Sequence, residues 1–308
     1  MPPTPPSPVL DDFQVGYVPA TASGSNGTAL GKSDDATAIV ANALQVGYRF
    51  LDCAQFYGNE KAVGRAIRSS GIARSQLFIA SKVWGDNIYE GSKAVRAQVL
   101  RSLDDLQIDY FDLYLVHWPV PGKHVAAYAT LQDLRKEGKI RSIGVSNYAV
   151  EDLNELLDSS MVDVVPAVNQ IEVNPFLYRK KTIDYFRKRG VAIQAYRALR
   201  QGKEFRNPVI VRLARKYNKS PAQILGRWCV QKDIIYVTKS TRKDRMVENA
   251  QIFDFELDND DMSALEALTT RTNLQAFEAL YRKCVVRDTP LEESTSLRSV
   301  LSRRVTVE

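Results

Sequence analysis

The chain has 308 residues, a formal net charge of +6, 44% hydrophobic and 25% charged residues. That balance supports one sizeable core and excludes a disordered or fibrous polymer. No apolar run reaches the roughly 18 residues of a membrane-spanning helix, and the three cysteines, Cys53, Cys229 and Cys284, are too far apart for a disulfide framework or a metal site.

A reducing cytoplasm is therefore the expected location. The proline-rich residues 1–8 have neither the basic patch nor the apolar core of a secretory leader. Residues 1–26, rich in Pro, Gly, Ser and Thr, offer no element and read as an extended or unstructured segment. Ser33, Asp34 and Asp35 then open an amphipathic helix over residues 33–46. Its apolar positions Ala36, Ile39, Val40, Ala43 and Leu44 share one face. Gly47 ends it.

From there apolar runs alternate with helical patterns. The runs cover residues 48–52, 77–82, 111–117, 140–146, 166–170, 191–196, 234–239 and 252–257, with helices between them such as 93–106, 150–157 and 221–230. Continuous apolar runs suit parallel strands covered on both faces. Eight strand-and-helix units predict a single-domain (β/α)8 barrel over residues 27–270. The other candidate, a doubly wound sheet, would carry Gly-x-Gly-x-x-Gly after its first strand, and that turn is absent. Residues 271–308 are expected to hold a helix near 274–282, to close over the substrate, and to end in a mobile tail.

In such a barrel the active site lies at the carboxyl ends of the strands. Those ends carry Asp52, Lys82, His117, Ser146 with Asn147, Gln170, Tyr196 and Lys239 with Ser240, and Tyr57 follows the first predicted strand by one turn. Each has a structural explanation alone; the fold would bring them all to one mouth. A phenol has an ordinary pKa of about 10, and a neighbouring ammonium favours its ionised form. Lys82 can supply that ammonium, Asp52 can fix Lys82, and His117 can donate to a carbonyl oxygen. Together they predict a proton donor beside an oxygen gaining negative charge, as carbonyl reduction by a hydride donor requires. With His117 and His124 the only histidines, no metal is expected. Between residues 179 and 219 there are 14 Lys or Arg against Asp184 and Glu204, a local charge of +12. This predicts either solvated helix faces or a field that attracts a phosphorylated cofactor. Nucleic acid is not expected, since no recognition motif accompanies the charge.

Six motifs resemble the aldo-keto reductase superfamily, with aldose reductase among the closer relatives. They are Gly47-Tyr48-Arg49 with Asp52-Cys53-Ala54 and Tyr57-Gly58-Asn59-Glu60; Ser81-Lys82-Val83-Trp84; Leu115-Val116-His117-Trp118-Pro119; Gly144-Val145-Ser146-Asn147-Tyr148; Val168-Asn169-Gln170-Ile171-Glu172; and Lys239-Ser240-Thr241 with Arg245 and Glu248-Asn249. The resemblance runs from about Gly27 to about Leu268. It implies Tyr57 as general acid, tuned by Lys82 and Asp52, with His117 orienting the carbonyl. Ser146, Asn147 and Gln170 would hold a nicotinamide carboxamide, and Tyr196 would stack on its ring with Arg197 and Leu199 beside it. Lys239, Ser240, Thr241, Arg245, Glu248 and Asn249 would hold the adenosine end, Lys239 and Arg245 favouring the 2′-phosphate of NADPH. Phe56, Trp84, His117 and Trp118 would wall the pocket for a small carbonyl substrate. A monomer is expected.

The chain also departs from the family. Ala29 stands where close relatives often have a Trp in the substrate pocket, and Phe50 and Thr238 replace a common His and Pro as packing variants. Arg197-Ala198 replaces Ser-Pro after Tyr196, and the loop to Asn207 is short, so Arg197, Arg200 and Lys203 would act in place of a longer strap over the pyrophosphate. A cofactor-sensing regulatory protein on the same barrel, like the potassium-channel auxiliary subunits, is the alternative function.

Overall fold

The computed structural model describes residues 15–19 and 33–278. The proline-rich start, Ala29, Cys284 and the expected mobile tail lie outside the described residues. Eight strands close into a barrel in sequence order: β1 (Val15–Tyr17), β2 (Phe50–Asp52), β3 (Phe78–Val83), β4 (Phe111–Val116), β5 (Ile140–Ser146), β6 (Val168–Glu172), β7 (Ala192–Tyr196) and β8 (Ile235–Thr238). Every neighbouring pair is parallel, and β1 closes the ring against β8. The helices are α1 (Ser33–Val46), α2 (Glu60–Ser70), α3 (Gly85–Glu90), α4 (Ser92–Leu106), α5 (His124–Lys136), α6 (Val150–Leu157), α7 (Lys180–Arg187), α8 (Pro208–Tyr217), α9 (Pro221–Gln231), α10 (Lys243–Ala250) and α11 (Asn259–Glu266). None among the described residues is long and apolar enough to cross a membrane. The expected late helix begins earlier, at residue 271, and is helical to residue 278, the last described position.

The count of eight strands agrees with the sequence reading, but two members differ. Residues 252–257 form no strand; they are the connection between α10 and α11. Their apolar character has another cause. Ile252 and Leu257 are buried, and the Gln231 side chain replaces a ladder partner. It accepts from Leu257 N at 2.8 Å and donates to Leu257 O at 2.9 Å. The missing strand is β1, inside the stretch that looked featureless. Its signal is weak because it has only three residues and one is Gly16. A Cβ on Gly16 would lie 2.6 Å from the Phe50 ring and 2.9 Å from Val237, so only glycine leaves room for the ring inside the barrel. Tyr17, the next residue, ties the strand down by donating to Ser240 O at 2.7 Å.

Period-two alternation divides the strands into two surfaces. One set, including Leu51, Ile79, Tyr114, Ile171 and Ile193, packs outward with the helices. The other fills the barrel: Phe50, Phe78, Leu113, Leu115, Val168 and Val237 form a separate buried cluster, with Phe50 edge-on to Phe78 at 5.0 Å. One pleat further along each strand the interior becomes polar. Asp52 follows Phe50, Lys82 follows Ala80, Gln170 follows Val168, and Lys239 follows Val237. An apolar plug thus supports a polar layer at the carboxyl ends.

Candidate active site

A tight turn delivers the phenol. After β2 the chain makes one 3-10 turn, Gln55–Tyr57, and Gly58 takes the left-handed conformation at φ 63°. There a side chain would be strained. Helix α2 starts two residues later. Gln55 accepts from Trp84 N at 2.8 Å, joining the turn to the end of β3, and Asn59 donates to Pro19 O, joining it to the chain after β1.

Within this frame Lys82 is fully buried, and its Nζ donates to Asp52 Oδ2 and to Cys53 O, each at 2.8 Å. The same Nζ lies 5.4 Å from the centre of the Tyr57 ring. Burial by itself would depress the ammonium's pKa, but the Asp52 carboxylate and the Tyr57 phenol leave it raised. Burial raises the Tyr57 phenol and the Lys82 charge opposes that rise without cancelling it. The net direction is upward, against the sequence expectation that an ammonium neighbour would lower it. Desolvation therefore dominates, and the hydroxyl keeps its proton at neutral pH. His117 is pushed well below the ordinary imidazole range, first by burial and then by Lys82. A neutral ring is a donor that brings no charge of its own, and its buried Nδ1 has no hydrogen-bond partner among the described residues.

The amide-bearing residues form the opposite wall. Ser146, Gln170 and Gln194 lie side by side across β5, β6 and β7. Ser146 Oγ donates to Gln170 O at 2.8 Å. Asn147, whose φ of 63° is unusual outside glycine, donates from Nδ2 to His117 O at 3.0 Å and to Ser146 Oγ at 3.1 Å. Its Oδ1 accepts from Tyr196 Oη at 2.7 Å. Gln170 Nε2 donates to Asp52 Oδ1 at 3.0 Å and to Gln194 Oε1. Thus Asp52 joins the two walls, with one oxygen on Lys82 and the other on Gln170. Both N–H bonds of Asn147 and of Gln170 are committed, so each amide presents only its carbonyl oxygen to a ligand.

The remaining candidates form a second cluster at the end of β8 and the start of α10. Lys239 is exposed at the strand end, and partial desolvation lowers its pKa. Ser240, Thr241 and Arg245 face solvent or its margin, and Glu248 is half-buried. Arg245 forms no ion pair with any described residue. Asn249 is buried and donates to Thr238 Oγ1 at 3.2 Å, so Thr238 is more than a packing variant: it orients a residue of the candidate cofactor set. Arg197 is exposed in the left-handed region at φ 51° and pairs with Glu172 at 3.3 Å. Leu199 is half-buried before a tight turn, and Arg200 is held by Glu204 at 3.4 Å. Three further members of the basic window pair with acids outside it. Lys216 lies on Asp258 and Asp261, Arg212 on Asp261 and Lys219 on Asp254. Of its two readings, solvated helix faces describe the helical part best.

The mouth between the walls is aromatic. Phe56 is 58% exposed and stacks on Trp84 with ring centres 4.3 Å apart, and Trp84 meets His117 edge-on at 4.9 Å. Trp118, half-buried, follows His117. Two partners in the site escaped the sequence reading: the Cys53 carbonyl, which has no sequence signal, and Gln194. The latter was findable, because it stands two residues before Tyr196 on the same face of β7.

The comparisons with known proteins agree with this architecture. Residues 22–270 match the family model described as aldo/keto reductase family. A glyoxal reductase of Bacillus subtilis (strain 168) is 43% identical over 235 residues, 76% of this chain and 84% of that protein. The crystal structure of an aldo/keto reductase from Brucella melitensis is similar with a TM-score of 0.75 and 36% identity, over 83% of this chain and 94% of that one. A Bombyx mori aldo-keto reductase solved in complex with NADP has a TM-score of 0.73 and 31% identity, over 83% of this chain and 88% of that one. With its closed eight-stranded barrel and its polar mouth, the chain belongs to the aldo/keto reductase family.

Proposed function

We propose that this chain reduces a small aldehyde or ketone with NADPH, and that Tyr57 is the proton donor. Family membership supports an oxidoreductase that reduces carbonyl groups. The observation that carries the finer reading is the Tyr57–Lys82–Asp52 arrangement facing a neutral His117 across one mouth.

The residues fit a nicotinamide dinucleotide phosphate. Asn147 and Gln170 offer carbonyl oxygens, which suit the two N–H donors of a carboxamide. Lys239 and Arg245 offer cations at the other end of the row, where a 2′-phosphate would lie. When bound, NADPH supplies the hydride that the carbonyl carbon takes up. The chain's own residues do the rest. Neutral His117 donates to the carbonyl oxygen and holds it near the Tyr57 hydroxyl. Tyr57 passes its proton to that oxygen as negative charge develops there. Lys82 stabilises the phenolate left behind, and Asp52 keeps Lys82 in place. Phe56, Trp84 and Trp118 shield the reacting carbonyl from bulk water.

The test is consumption of NADPH against a panel of aldehydes and ketones, with alcohol formation measured in parallel. Turnover of at least one carbonyl is expected; tight NADPH binding with none turned over would favour a regulatory protein. Arg245→Ala should raise the KM for NADPH about tenfold or more while leaving that for NADH nearly unchanged, because a dianionic phosphate is met best by the guanidinium fork. Equal effects on both cofactors would remove Arg245 from the phosphate site.

A further inference from the structure

We propose that Gln194 is a positioning residue that sets the orientation of the Gln170 amide, and through it the hold on the nicotinamide end of the cofactor. This rests on the assignment of Gln170 to the carboxamide made above. The donors and acceptors leave little freedom. Asp52 Oδ2 is already paired with the Lys82 ammonium, so its carboxylate can only accept. The Gln170 atom 3.0 Å from Asp52 Oδ1 must therefore be nitrogen. That nitrogen has one N–H left, and the atom of Gln194 that meets it must be an oxygen. All three side chains are buried: Asp52 is 1% exposed, Gln170 3% and Gln194 0%. No water is needed to complete the row. Among the described residues nothing donates to Gln170 Oε1, which leaves that oxygen as the acceptor for a ligand N–H.

Gln194 carries a cost that offsets the one hydrogen bond it makes to Gln170. Its own Nε2 is buried and has no hydrogen-bond partner among the described residues, and such an orphan donor is destabilising. An apolar side chain of the same length would remove that cost and fill the same space. What it would lose is the acceptor that holds Gln170. Without it the Gln170 amide keeps only its Asp52 bond and can turn about its terminal torsion, so that an N–H competes with Oε1 for the position facing the ligand.

The experiment is calorimetric titration with NADP⁺ and with 2′,5′-ADP, which lacks the nicotinamide end, using the wild type, Gln194→Met, Gln170→Met and the double variant. Gln194→Met should weaken NADP⁺ about tenfold, leave 2′,5′-ADP within about twofold, and leave the melting temperature nearly unchanged, because it removes the orphan Gln194 donor while freeing one Gln170 N–H. In the Gln170→Met background it should have no further effect on NADP⁺, because the two act as one unit. Unchanged NADP⁺ affinity, equal weakening of both ligands, or additive effects would each overturn the positioning role. If wild-type protein binds NADP⁺ no more tightly than 2′,5′-ADP, the carboxamide assignment itself fails and takes this inference with it. Discrimination in the wild type that survives Gln194→Met sinks the inference alone.

Discussion

Tyr57→Phe should lower kcat for carbonyl reduction by roughly 10²–10⁴-fold, the range for loss of a positioned general acid, while changing the dissociation constant of NADP⁺ by less than about twofold. The substitution removes one oxygen and keeps the ring. Lys82 retains its bonds to Asp52 and Cys53 O, so no buried charge is stranded and the expected stability change is only about 1 kcal/mol. Cofactor binding is expected to persist because the amide wall makes its contacts without the phenol: Asn147 is held by His117 O and Ser146, and Gln170 by Asp52 and Gln194. The measurement pairs steady-state kinetics with cofactor titration. Phe at this position with more than about a tenth of wild-type kcat would mean that another group, or water, supplies the proton.

The direction of the Tyr57 shift refines this picture. Burial raises the phenol and Lys82 only limits the rise, so in the ligand-free protein the hydroxyl is a stored proton rather than a poised phenolate. In the proposed reaction the lysine would act after transfer, when the phenolate needs a counter-charge. His117 is complementary: burial and then Lys82 push its pKa well below the ordinary imidazole range, which suits the proposed role of a neutral donor to the carbonyl oxygen.

How far the fold could be read in advance depended on where periodicity and burial coincide. Strands from β2 to β8 are apolar because both faces are covered, and their runs stand out. The exchange of β1 for residues 252–257 shows the limit of that signal. Ile252 and Leu257 are apolar because they are buried, and burial in a connection looks like burial in a strand until the Gln231 side chain is seen to take the ladder's place. Conversely Gly16 belongs to a strand yet has no side chain to announce it; the reason is the ring of its in-register partner Phe50 on β2, a contact between residues 34 apart in sequence. The placement of the candidate site residues was legible because strand-terminal polar residues are forced to one mouth by closure. Asp52, Lys82, Gln170 and Tyr196 could be named from position alone. What could not be read was partnership: that Asp52 bridges both walls, that Thr238 holds Asn249, and that Arg200 pairs with Glu204.

Lys82→Met should be the most disruptive single change to the fold that the site offers. Lys82 and Asp52 are 0% and 1% exposed and 2.8 Å apart. Removing one member of a buried pair leaves the other charge without compensation, at a cost of about 3–5 kcal/mol, whereas removing both can be nearly neutral. The expected result is a large drop in the denaturation midpoint for Lys82→Met, most of which is recovered in the double variant Lys82→Met with Asp52→Leu. Activity should not recover with it, because the phenolate of Tyr57 then has no counter-charge. The pH dependence of the wild type gives a second check. The pKa of Lys82 is raised in the folded state, so the stability it confers is fully present below the ordinary lysine value of 10.5 and is lost as pH rises through the folded value. Denaturation midpoints near neutrality should therefore be insensitive to this pair and should fall only in strong alkali, and the gap between wild type and Lys82→Met should narrow there. A single variant as stable as the wild type would show that Asp52 finds another partner and that the ammonium is dispensable to the fold. A double variant that regained turnover would remove Lys82 from the proton-transfer step altogether.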